Sequence, residues 1–138
     1  MNALGRLAAG LAILSAVSAA AAMPTAALPE PASKQWLGVI SLTRPELHDE
    51  SQWSNREKDI RQRHFEYWQR LTAEGKVILV GRTLDEIAPS RLAPDAIGIF
   101  IFEAADRPTA DGIMRDDPGV RHGLWRFRLS SYRVALSR

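Results

Sequence analysis

Gly112-Ile113-Met114-Arg115-Asp116-Asp117-Pro118-Gly119-Val120-Arg121-His122-Gly123-Leu124-Trp125 is where one structural period stops and another begins. Asp106 is a natural N-cap for a helix running to about Arg115, and Ala110, Ile113 and Met114 form its apolar stripe. Pro118 pushes the backbone of Asp117 away from helical geometry, so the helix ends there and a tight turn follows. The last strand starts near Leu124. Trp125, Phe127 and Leu129 point one way and Arg126, Arg128 and Ser130 the other. Tyr132, Val134 and Leu136 then take the opposite phase, which predicts a β-bulge or a sheet switch at Ser130-Ser131. The stretch therefore delivers a carboxylate to a helix end close to a strand start. Asp117 rather than Asp116 is expected to face inward, with Pro118 and Gly123 shaping the turn.

Working back along the chain, Ser54-Asn55-Arg56-Glu57 matches a capping box and Gly75 a helix stop. Between them Ile60, His64, Tyr67, Trp68 and Leu71 share one helical face, while Arg56, Lys58, Arg63, Glu66 and Arg70 lie opposite. Gln35–Leu42, Lys76–Gly81 and Ala96–Phe102 are short apolar runs that read as strands. Thr43–Glu50 reads as a loop. The link from Arg82 to Asp95, with Pro89 and Pro94, is placed to hang over a pocket. The order is β-α-β-β-α-β. It predicts an α+β, ferredoxin-like domain with two helices on one face of a four-stranded antiparallel sheet. The second and third strands are apolar on both sides of the pleat, yet two helices cover only one face. The economical cover for the other is a second copy, so a homodimer with face-to-face sheets is expected.

The domain is assigned to residues 34–138. Residues 1–22, with Arg6 ahead of an Ala- and Leu-rich run, read as a signal peptide, and 23–33 as a Pro/Ala-rich tether. Export to the periplasm or the exterior is the expectation, with membrane attachment only through an uncleaved signal. The sequence contains no Cys, which removes disulfides, thiolate nucleophiles and Cys-ligated metals. Without Arg6 the chain carries 17 basic and 16 acidic residues, too even a balance for a nucleic-acid binder. There is no phosphate loop, no Gly-x-Ser-x-Gly and no His-Glu-x-x-His, so neither cofactor nor metal is expected. One arrangement stays open for a metal, His64 with Asp117 and a further carboxylate.

His64 is the candidate that stands out, an imidazole on an apolar face between Ile60 and Trp68. It is either a core histidine satisfied by a polar neighbour or a general acid/base. Asp117 is either an ordinary helix stop or the carboxylate that orients that histidine. Arg61, one turn before His64, is a surface charge, an anion-binding group or an orienter of Asp117. Trp68 and His122 are the other candidate substrate contacts. His48 reads as a surface residue.

Several pieces in order resemble the YCII-related domain family. They are Arg61-x-x-His64, Glu74-Gly75-Lys76-Val77, Gly81, Phe102-Glu103-Ala104-Ala105-Asp106 and Asp117-Pro118-x-Val120-x-x-Gly123. The resemblance implies a ferredoxin-like domain that dimerises as an α+β barrel. It also implies a histidine/aspartate pair in a cleft, at His64 and Asp117. The chain departs from the pattern at Gly81-Arg82, where members commonly have Gly-Pro, in a long loop before the first helix, and in its exported character. The expected function is cofactor-independent isomerisation or elimination on a small cyclic or aromatic compound. The alternative is a non-catalytic ligand-binding or interaction module of the cell envelope.

Overall fold

The computed structural model describes residues 34–138 and, of the earlier segment, Ala21 alone. The signal-peptide and tether expectations lie outside the described residues. β1 (Lys34–Leu42) leads through two 3-10 turns, Pro45–His48 and Glu50–Gln52, into α1 (Asn55–Ala73). β2 (Val77–Arg82), β3 (Glu86–Ala88), β4 (Arg91–Leu92) and β5 (Ile97–Ala104) follow. The chain closes with α2 (Arg107–Asp116), α3 (Pro118–Arg121) and β6 (Trp125–Tyr132). The main sheet has the order β2-β5-β1-β6, and every neighbouring pair is antiparallel. This is the ferredoxin-like βαββαβ arrangement, with α1 and α2 packed on one face.

The termini of α1 form as local chemistry dictates. Ser54 and Glu57 make both halves of the capping box. At the other end Gly75 takes φ +74, Lys76 N–H bonds Leu71 O at 3.0 Å and Gly75 N–H bonds Thr72 O at 3.0 Å. Those two bonds satisfy carbonyls the helix leaves free, in a geometry that a side chain at position 75 would strain. Trp36, Ile40, Phe100, Phe102 and Ala104 form the sheet side of the main core; Trp68, Leu71, Ala110 and Met114 form the helix side. α2 comes close to the sheet because Gly38 has no side chain. A Cβ there would meet Met114 Sδ at 2.5 Å. This close seat brings the end of α2, and hence Asp117, down to the level of α1.

Four expectations are corrected. The Arg82–Asp95 link contains the small β3–β4 hairpin, which is tied to the turn before α1 by Glu50 N–H to Ser90 O at 3.0 Å. The tight turn after Pro118 is one turn of helix, α3, because proline's fixed φ suits a first helical position. The bulge at Ser130-Ser131 is absent. β6 pairs with β1 in one register from Trp125 to Tyr132 and then ends. The register shift falls in β2 instead, between Val77 and Leu79. It leaves Ile78, Leu79 and Val80 all substantially exposed. Finally, His48 is half-buried, with its Nδ1 3.0 Å from Ala93 O, so it also fastens the hairpin.

A second, smaller core of Leu47, Trp53, Ile60 and Leu124 lies under the long loop before α1. Trp53 Nε1–H donates to Leu47 O at 2.8 Å, satisfying a buried indole. Between the two cores the sheet and α1 part, and a cavity opens there.

Candidate active site

Asp117 sits at the junction of α2 and α3 and serves as the N-cap of the latter. Its side chain is fully buried, whereas Asp116 is exposed. A buried carboxylate needs its oxygens filled. Oδ1 accepts the Gly119 backbone N–H at 2.7 Å, and Oδ2 accepts Trp68 Nε1–H at 2.9 Å. His64 Nδ1 approaches both, at 2.8 and 2.7 Å. α1 supplies two of these partners from successive turns, since His64 and Trp68 are four residues apart. The third comes from the proline turn itself. Gly119 N–H and Trp68 Nε1–H can only donate, so Asp117 acts as an acceptor towards both and accepts from His64 when Nδ1 carries the ring proton.

The imidazole is held on its faces as well as at Nδ1. It stacks on Trp125, with centroids 4.6 Å apart and planes at 23°, and meets the edge of Phe100 at 5.7 Å. Gly119 makes this possible. A Cβ at that position would overlap the Trp125 ring, which lies directly against the turn. The His64 side chain is 15% exposed and forms part of the wall of a cavity of about 380 Å³. Ile40, Trp53, Val80, Leu92, Phe100 and Trp125 make much of the remaining wall apolar. Apart from His64, the ionisable groups on the wall are Glu50, Arg61 and Arg82.

The structure thus brings His64, Asp117 and Trp68 into direct contact. It does not bring all five sequence candidates together. Trp68 is buried in the core, behind the His64–Asp117 pair and off the cavity wall, so its contact is with Asp117 rather than with a ligand. His122 is exposed at the end of α3 and also off the wall, because α3 turns it outward. Arg61 is on the wall but does not reach Asp117. Its guanidinium lies over Trp53 at 5.1 Å and 3.1 Å from Glu50 Oε2. Glu50, Trp53, Arg82 and Trp125 went unmarked as site residues, because nothing in the spacing of a loop, a strand end and a strand start relates them. The Asp117-Pro118-Gly119 sequence did carry a signal, an aspartate placed to accept its own backbone two residues on.

Tyr67 borders the site from α1. Its hydroxyl donates to Ile113 O at 2.7 Å, and burial, helped by the negative charges of Asp116 and Asp117, pushes its pKa up to about 12. Among the described residues there is no cluster of three or more His, Asp or Glu side chains arranged to hold a metal ion. Nor is any helix among them long and apolar enough to cross a membrane.

No curated protein matches this chain. Among solved structures, it is similar to 5-chloro-2-hydroxyhydroquinone dehydrochlorinase from Burkholderia phenoliruptrix AC1100, in complex with 2,5-dihydroxybenzoquinone. The TM-score is 0.51 at 18% identity, over 71% of this chain and 93% of that one. At that identity the likeness is one of fold. The YCII-related domain matches residues 42–129, most of the described chain and every residue of the His64–Asp117 site. On that match, the chain, a βαββαβ fold, belongs to the YCII-related domain family.

Proposed function

We propose that this protein binds a small planar ring in the cavity and moves a proton on it through His64, without a cofactor. One observation carries the reading. Nδ1 of His64 lies 2.7 Å from the buried Asp117 while the same ring forms part of the cavity wall. Facing a carboxylate that only accepts, neutral His64 keeps its proton on Nδ1 and its lone pair on Nε2. Nε2 then takes a proton from a ring carbon beside a carbonyl, and the electron pair moves onto the carbonyl oxygen. The imidazolium forms next to Asp117, whose charge stabilises it. Returning the proton at another ring position gives isomerisation. Expelling a leaving group from the neighbouring carbon gives elimination. Family membership supports a small-molecule role, as does the likeness to a dehydrochlorinase holding 2,5-dihydroxybenzoquinone.

The same proposal includes a homodimer. The sheet face away from the helices carries Leu37, Val39, Ile99 and Ile101 on its two central strands, with Leu79 paired beside Ile101. That is an apolar surface with no cover among the described residues, and a second copy would bury it.

Deuterium uptake tests the chemistry. In D2O the ring C–H of 2,5-dihydroxybenzoquinone exchanges when an acid adds a deuteron to that carbon of the enolate and a base then removes the proton from the resulting carbon beside the carbonyl. The C–H signal is followed by proton NMR with and without the protein. General acid/base catalysis predicts acceleration of about 10²- to 10⁴-fold over buffer, lost in His64→Gln. Binding of the ring with no acceleration, or equal acceleration by His64→Gln, sinks proton transfer. What then survives is a ligand-binding module whose histidine is structural.

A further inference from the structure

Three fixed charges stand on the wall of a mostly apolar cavity, and they do not balance. Glu50 is one carboxylate facing two guanidiniums, Arg61 and Arg82. Arg61 is the engaged one. It lies 3.1 Å from Glu50 Oε2 and its face covers Trp53. The Arg82 guanidinium is 3.8 Å from Glu50 Oε1, beyond hydrogen-bond range, and makes no hydrogen bond to any described residue. The place of Arg82 in the sheet puts it on the cavity side, with its side chain 56% exposed. In β2, Val80 pairs with Phe100 and Arg82 with Gly98, so strand alternation puts Arg82 on the helix side with Val80. Phe100 on that side touches His64. Gly98, paired with Arg82, has no side chain of its own, and the space above it is taken by Ile40 of the cavity wall.

We infer that Arg82 is the anion-binding residue of the cavity and that the ligand is a small planar ring carrying a carboxylate or phenolate. The inference rests on the reading of the cavity as a ring-binding site and adds the charge of the ring. A ligand anion takes the place of Glu50 beside Arg82 and forms the short charge-assisted bonds that Glu50 does not. Arg61 keeps Glu50 and serves to hold it. The ring itself lies against the apolar wall, within reach of His64. Arg82 is thus a specificity-determining residue, selecting the substrate by charge before any proton moves.

Calorimetric titration of the full chain at pH 7 with 4-hydroxybenzoate and with 4-hydroxybenzamide tests this. The two rings have the same shape and differ in one charge. The carboxylate is expected to bind at least about tenfold more tightly, a margin set by one charge-assisted contact at a partly exposed site. Arg82→Gln is expected to bring the carboxylate to the affinity of the amide and to leave the amide unchanged. Arg82→Lys, which keeps the charge on an exposed strand end, is expected to retain most of the preference. Glu50→Gln is expected to tighten carboxylate binding by about two- to fivefold, as loss of an exposed competing ion pair allows. Equal binding of the two rings, or a carboxylate preference that survives Arg82→Gln, overturns the assignment of Arg82 alone. Binding of neither ring overturns the cavity reading on which it rests.

Discussion

Replacing Asp117 with Asn changes one atom, and its consequence follows from the donors around it. The carboxylate takes Gly119 N–H on Oδ1, Trp68 Nε1–H on Oδ2 and His64 Nδ1 between them. An amide has one oxygen. Placed toward Trp68, it turns its NH2 on the Gly119 N–H; placed toward Gly119, it turns the NH2 on Trp68. Either way one buried N–H is left unpaired, at a cost of about 1–3 kcal/mol. His64 escapes the same fate by changing tautomer. Nδ1 then accepts from the amide and the proton moves to Nε2, which becomes a donor instead of a base. At roughly 4–8 °C per kcal/mol for a domain near 100 residues, the midpoint falls by about 10 °C. Thermal and urea unfolding measure the first effect, and 15N chemical shifts of the imidazole measure the second. Trp68→Phe provides a control, because removing that donor relieves one of the two orientations and makes the Asn substitution less costly. A variant within about 0.5 kcal/mol of the parent, with Nδ1 still protonated, would refute the reasoning.

Two further outcomes can be measured. The raised pKa of Tyr67 means the folded protein holds that proton more tightly than the unfolded chain. Its contribution is fully present below pH 10 and is lost as pH rises from 10 towards about 12. Stability against pH should therefore fall over that window, and Tyr67→Phe should flatten the fall; an unchanged alkaline slope in the variant would remove the account. Ile101→Lys places a charge in the centre of the open apolar sheet face, opposite Leu37 and Leu79. Sedimentation should show the parent as a dimer and the variant as a monomer with unchanged circular dichroism, and a monomeric parent would defeat the dimer proposal.

Patterns within single elements were legible without the tertiary structure. The capping box at Ser54 and Glu57, the stop at Gly75 and the apolar stripe through His64 follow from contacts between residues three or four apart. Short apolar runs supplied β1, β2 and β5, alternation supplied β6, and the order of elements supplied the ferredoxin-like topology. The break at Asp117-Pro118 marked the end of α2 from proline's own geometry. What failed was also local. Two residues as short as Arg91-Leu92 carry no period that could announce a strand, so the hairpin stayed hidden in a link. The phase slip at Ser130-Ser131 read as a bulge, but beyond Tyr132 the chain has left the sheet and alternation no longer applies.

The sequence by itself thus determined which side chains share a helix face or a strand face, because those relations depend on backbone periods alone. It determined that His64 points into an apolar surface and that Asp117 stands at a helix end. Only the tertiary structure decided that the two meet, since they are 53 residues apart and lie on different elements. The meeting depends on how closely α2 approaches the sheet, which Gly38 permits, and on the room that Gly119 leaves for Trp125. The tertiary structure also decided that Trp68 serves Asp117 and that His122 faces outward, although both had appeared as ligand contacts. Helix packing turns each element about its own axis, and that rotation is settled by the partner surface. Arg82 stands for the same division: the first residue of a link in the sequence, and part of a cavity wall once β2 lies beside β5.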